Sequence, residues 1–256
     1  LNSSIFNLSR IVGPTIAGLL ITTVGIAACF YANAVSFLAV VIGLLMMHMP
    51  REENRALVAR TGRLWDGLYY VTTEPWPKAL VIITGTLSIF GFAFLSMLPV
   101  FAKEALNTGA AGYGGMVSAV GVGAFSAAIF VAAFGHRLRR RRTILIAGVG
   151  FGACLIAASL SRSYVLALVL FTLAGTAMVL NNVLTNTLLQ TSAPDHLRGR
   201  VMGVYSFLIL GLSPFGSLQA GFVAEHLGVR TAIGSGGAVC LLVTALVGWR
   251  MSRTAT

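Results

Sequence analysis

Eight apolar runs, each long enough to cross a bilayer, occupy most of this chain, at residues 11–29, 31–49, 79–102, 112–135, 143–160, 164–191, 201–224 and 229–249. A hydrocarbon core about 30 Å thick takes about 20 residues of helix, and each backbone group left unsatisfied in it costs several kcal/mol. Runs of this kind have to be helices, so the chain reads as an all-α membrane protein. Its composition agrees. Hydrophobic residues make up 57% of the 256 and charged ones 10%, against about 25% charged in a soluble domain, and mean hydropathy is +0.87. A water-soluble fold of this length has too little interior to hide so much apolar surface.

The formal charge of +11 does not point to nucleic acid. Lys and Arg fall in short clusters between the apolar runs, and no separate basic domain exists. Counting by side, 15 of the 18 basic residues gather on one face of the membrane, and only Lys103, Arg162 and Arg230 fall on the other. Short cytoplasmic loops are enriched in Lys and Arg. This places both ends of the chain and every long loop in the cytoplasm, in a multi-pass protein of the cell's inner (plasma) membrane. Cys29, Cys154 and Cys240 all lie inside apolar runs and lack the paired spacing of a zinc or redox site, so they read as packing residues. No cofactor and no metal are expected. The chain opens at Leu1 without an initiator Met and leads at once toward a membrane segment, as a piece of a longer protein would.

The longest connection, 50–77, holds Arg51, Glu52, Glu53, Arg55, Asp66 and Glu74 beside Trp65, Tyr69, Tyr70 and Trp76. It reads as a cytoplasmic linker with a helix lying at the interface, or else as a regulatory or partner-binding surface. It divides the chain into two spans before it and six after. An offset of 203 residues superposes Gly13 on Gly216, Ala17 and Gly18 on Ala220 and Gly221, and Gly25 on Gly228, as in successive copies of one bundle. On that reading residues 1–49 are the last two helices of a first six-helix half, 50–77 the linker, and 78–256 the second half. Parallel halves of this kind are a known transporter architecture.

With these features in place the sequence resembles the major facilitator superfamily, over nearly its whole length, as helices 5 to 12 of a twelve-helix pattern. Arg10, Gly13, Pro14, Ala17 and Gly18 resemble the Gly-Pro motif of antiporter helix five. The tract holding Asn33, Ser36 and Phe37 is similar to the start of helix six. The branch most resembled is the drug-and-proton antiporter group with macrolide-efflux and siderophore-export proteins. Physically, Pro14 removes a backbone donor while Gly13, Ala17 and Gly18 admit a close neighbour. Simple close packing explains these positions; a part in setting antiport is what the resemblance adds. Pro214, Gly216 and Gly221 are their counterparts.

Two basic segments stand where the resemblance implies cytoplasmic gates. Around Arg137 and the run Arg139 to Arg142, His136 occupies the place of the expected Asp and Arg139 that of the expected Gly. A gate is one reading of this loop; membrane orientation and contact with anionic lipid is the other. Before the seventh span, Asp195 is placed to cap a helix and to pair with Arg198 or Arg200. Such a pair can break when that face opens.

Polar residues within apolar spans are the first candidates for a substrate path. In the sixth span Asn182, Asn186 and Gln190 recur every four residues, on one helical face. Asn181 and Thr185 sit beside them and Asn33 lies in the second span; Thr84, Ser88, Ser96, Ser206 and Gln219 are weaker. Interhelical hydrogen bonding and lining a path are both open for this stripe. Phe90, Phe92, Phe94 and Phe207 either stack on an amphiphilic ligand or pack. No acidic or basic residue lies near the middle of any of the eight spans, Glu225 and His226 near the outer end of the seventh being partial exceptions, so either a coupling carboxylate lies on helices before this chain or the protein is not proton-coupled. The leading reading is a secondary transporter exporting a small amphiphilic molecule by alternating access; a non-transporting receptor or scaffold on the same fold is the alternative. No phosphate-cradling GxxxxGK[ST] loop and no catalytic constellation occurs, so the chain is not read as an enzyme.

Overall fold

Leu, Val, Ala and Gly dominate the apolar runs, leaving few side chains to compete for backbone hydrogen bonds, so each segment meets its own demand locally as a helix. The computed structural model describes residues 26–46 and 65–253. The chain divides into two compact units, Leu1–Arg60 and Thr61–Thr256. Of the first unit, helix α1, Ile26–Leu45, is described. It runs straight through residue 30, where the sequence suggested a break between two spans. Nothing from Ile26 to Tyr31 is a helix breaker or a charge, so the helix has no reason to stop there. Residues 11–25 lie outside the described residues, as do Arg10, Gly13, Pro14, Ala17 and Gly18; Asn33 is described only as a backbone position in α1.

The second unit begins with a short helix, α2, Trp65–Thr73. Six helices long and apolar enough to cross a membrane follow: α3, Pro75–Ala105; α4, Gly109–Phe134; α5, Arg140–Leu160; α6, Tyr164–Ser192; α7, Arg198–Leu227; and α8, Val229–Arg253. Most extend a few residues beyond the apolar runs, because hydropathy fades at the first charges while the backbone ladder continues. In particular Arg140, Arg141 and Arg142, expected in a loop, form the first turn of α5. Connections of one to five residues make the helices alternate in direction. The starts of α3, α5 and α7 and the ends of α4, α6 and α8 therefore meet at one end, with most of the basic side chains. The joint between α7 and α8 is Gly228 alone, at φ 86°, a left-handed conformation that glycine adopts without steric penalty.

Glycines decide which helices touch. A Cβ on Gly123 of α4 would strike the Thr172 carbonyl of α6, and one on Gly175 of α6 would strike the Val120 carbonyl of α4. Gly152 of α5 and Gly237 of α8 face each other's carbonyls in the same reciprocal way. Backbones thus approach closely, as small residues allow in membranes. Between these contacts runs a chain of rings: Phe92 and Phe94 each meet Phe151 edge-on, Phe94 stacks on Phe171, and Phe171 meets Phe101 edge-on. Packing therefore accounts for Phe92 and Phe94, whereas Phe207 is exposed.

Both α3 and α7 contain widened π turns, at Leu87–Gly91 and Phe101–Ala105 in α3 and at Phe207–Gly211 in α7. Pro214 lies just beyond the last of these; its ring crowds the carbonyl four residues back and it donates nothing, so the turn opens. Next to it Gly216 lets α7 lie against the Ser88 and Ile89 carbonyls in the first π turn of α3, whereas a Cβ on Gly221 would meet nothing within 4 Å.

Candidate translocation site and the arginine-rich end

The polar residues of α6 separate onto two faces. Asn181 and Thr185, one turn apart, are buried. Asn181 donates from Nδ2 to the Ile144 carbonyl of α5 at 3.1 Å. Its Nδ2 lies 3.4 Å from where a Cβ on Gly148 would stand, and Thr244 Oγ1 of α8 lies 2.9 Å from the same point. Thr185, Thr244, Thr84 and Ser88 keep buried hydroxyl oxygens with no hydrogen-bond partner. Asn182, Asn186 and Gln190 turn the other way and are half-buried to exposed. Gln190 Nε2 donates to Asn186 Oδ1 at 2.9 Å, and the Tyr205 hydroxyl of α7 donates to Asn182, whose backbone O and Oδ1 both lie at 3.0 Å. A ladder of uncharged amides and one phenol thus lies on the α7-facing side of α6. It can offer donors and acceptors to a polar portion of a ligand without a fixed charge. Tyr205 was invisible in the sequence, where one tyrosine in an apolar run has no periodicity to mark it. Of the weaker candidates, Ser96 bonds the Ala93 carbonyl and Ser217, Ser206 directly precedes the π turn of α7, and Gln219 lies within the helix that follows it.

At the arginine-rich end, α2 is fastened to the bundle. Arg200 Nη1 lies 3.1 Å from Asp66 Oδ2, and a Cβ on Gly67 would collide with the Arg200 backbone, so only glycine lets α2 lie this close to α7. Tyr70 donates to the Ser192 carbonyl at the end of α6, at 2.7 Å; burial first, and then the Glu74 charge, push its phenol pKa up, which keeps it a donor. Asp195 and Arg198 pair at 2.7 Å in the open, and Arg198 Nε also donates to the Gln190 carbonyl. Asp195 does not cap α7: Leu197 stands at the cap position without a side-chain bond, and the Pro194 carbonyl receives the Leu197 and Arg198 amides instead. His136 and Arg137 are exposed in the turn after α4. Asp66 as the partner of Arg200 could not be read from the sequence, since 134 residues separate them.

The opposite end is held by Arg230. Its Nη1 donates to the Ser159 and Ser161 carbonyls at 2.7 and 2.6 Å, and its Nη2 to the Ala105 carbonyl at 2.9 Å, with the guanidinium 5.6 Å from the Phe101 ring centroid. A shallow cavity of about 430 Å³ opens beside it, lined by Ser159, Arg162, Thr231 and Ser235 among others. Among the described residues no cluster of His, Cys, Asp and Glu could hold a metal ion.

Six apolar spans that alternate in direction define a polytopic membrane protein. The chain belongs to the transmembrane secretion effector family of the major facilitator superfamily, whose profile matches residues 1–255. It is 26% identical over 232 residues to the multidrug efflux pump Tap of Mycolicibacterium fortuitum, covering 89% of this chain and 56% of that protein. It is 26% identical over 251 residues to the uncharacterized MFS-type transporter YfmI of Bacillus subtilis, covering 94% and 60%. With the enterobactin exporter EntS of Escherichia coli O1:K1 it shares 24% over 206 residues, covering 78% and 47%. The chain thus spans about half the length of the curated relatives it matches. No solved structure matches it.

Proposed function

We propose that this chain is part of a secondary active transporter of the plasma membrane that exports a small amphiphilic molecule by alternating access. The carrying observation is the ladder Asn182, Asn186, Gln190 and Tyr205, hydrogen-bonding groups set inside apolar spans of a family whose relatives include an efflux pump and a siderophore exporter. Asn182 lies furthest into the span and Gln190 near its arginine-rich end, and polar groups within a span are costly unless they serve packing or a path. The apolar spans around them suit a substrate with both a hydrocarbon body and polar atoms. We assign the described spans to the later helices of a twelve-helix pattern, eight of which, helices 5 to 12, would fall in this chain. Residues 1–49 then close the first half, 50–77 link the halves, and 78–256 form the second. The charge asymmetry supports both ends of the chain lying in the cytoplasm. Glu225 and His226 fall at the end of α7 and not near its middle, so protons as the coupling ion would need a titratable group elsewhere in the full protein.

The test is extrusion of fluorescent amphiphiles by cells making the full-length gene product. Asn182→Ala and Asn186→Ala should slow efflux several-fold at unchanged membrane abundance, since each removes about 0.6 to 2 kcal/mol of hydrogen bonding at the site. Efflux that neither substitution alters would remove the ladder from the path. No efflux from an abundant, folded protein would favour a receptor or scaffold.

A further inference from the structure

Five arginines, Arg137 and Arg139 to Arg142, stand within six residues at the start of α5. The first turn of α5 contains no acidic residue, and its cap residue, Arg139, makes no side-chain cap bond. A helix start already carries the positive end of the macrodipole, so three guanidiniums there add charge where an anion is wanted. Among the described residues no carboxylate lies within ion-pair distance of any of the five: Asp66 is paired with Arg200 and Asp195 with Arg198. Repulsion of this size in so small a space calls for counter-anions. One of the five is also held in place. Arg141 lies with its guanidinium 4.6 Å from the ring centroid of Trp76, at the start of α3. Stacking on an indole orients the planar fork while leaving its edge N–H groups free to bind.

The level of this patch identifies the anion. It sits where the apolar spans α3 and α5 begin, and just before Trp76 the outward face of α2 presents Trp65 and Tyr69, each 71% exposed, beside Leu68. Tryptophan and tyrosine collect at the headgroup layer of a bilayer. The anion available in that layer is a lipid phosphate, and basic clusters between spans at such a surface bind anionic headgroups. We propose that Trp76, Arg141 and Arg142 form a binding site for the phosphate of an anionic phospholipid, which ties the start of α3 to the start of α5. The site depends on the chain lying in a membrane and not on what the protein transports.

The experiment uses the full-length gene product in nanodiscs, with every tryptophan except Trp76 replaced by Phe. Lipids with brominated tails quench indole on contact. Brominated phosphatidylglycerol should quench Trp76 more than brominated phosphatidylcholine at the same mole fraction, and the preference should vanish in the Arg141→Gln/Arg142→Gln variant. Excess inorganic phosphate at constant ionic strength should leave it intact; loss of the preference to phosphate would make this a free-anion site and overturn the lipid assignment. Equal quenching by the two lipids, or a preference that survives the double substitution, would also overturn it. Native mass spectrometry of the unsubstituted protein keeps the test open if the tryptophan variant fails to fold: retained phosphatidylglycerol that Arg141→Gln/Arg142→Gln releases is the expected result, and equal retention refutes the site.

Discussion

Arg230 reaches carbonyl oxygens that the ends of α3 and α5 leave without donors. A guanidinium can serve all three at once because its donors fan out in a plane; a lysine ammonium cannot span them. Arg230→Gln should lower stability by on the order of 2–3 kcal/mol, given hydrogen bonds to a charged donor and half-buried carbonyls left behind, and Arg230→Lys should fall between. Thermal unfolding of the purified protein in detergent checks this, and a Gln variant that melts with the parent would show the contacts to be incidental. The sequence places Arg230 only as a charge on the sparse side, because its partners are backbone carbonyls with no side-chain signature. Tyr205 is hidden because a single tyrosine carries no periodicity and its partner Asn182 lies 23 residues away in sequence. The four-residue spacing of Asn182, Asn186 and Gln190 is legible, since helical periodicity alone puts them on one face. What the spacing could not tell is that the neighbouring Asn181 reaches the Ile144 carbonyl of α5 and that Thr185 is buried.

Among elements, glycine controls the fit. The α4 to α6 and α5 to α8 crossings are closed by Gly123 with Gly175 and by Gly152 with Gly237, each facing a carbonyl of the other helix. Alanine at Gly123 or Gly152 should force the helices apart and cost about 1–3 kcal/mol, as overpacking does. Alanine at Gly121 or Gly150, where an added Cβ meets nothing within 4 Å, should change stability by no more than about 0.5 kcal/mol. The melting temperatures of these four variants separate the classes, and equal losses at all four would contradict the packing described. Spans α3 to α8 were legible because a bilayer's thickness dictates their length. Finer features were not: the continuity of α1 across residue 30, the π turns, and the way α2 docks through Asp66, Gly67 and Tyr70 all depend on neighbours far away in sequence.

Over the whole molecule, two asymmetries organise the chain. Basic residues crowd one end of the bundle, which suits a fixed orientation in the membrane, and polar groups are confined to few faces of otherwise apolar helices, which suits a guarded path. The 203-residue offset that aligns Gly13 with Gly216 underlies the proposal of two similar halves. On the proposed function, two such halves would move a substrate by exposing one central site to either side in turn, driven by an ion gradient. Gradient-driven export is the claim to test most directly, with the full-length gene product in proteoliposomes and a fluorescent amphiphile followed as a pH gradient is imposed. Transport that begins with the gradient, stops when an ionophore collapses it, and weakens in Asn186→Ala is the expected result; a well-folded protein that moves no amphiphile under any imposed gradient would contradict it.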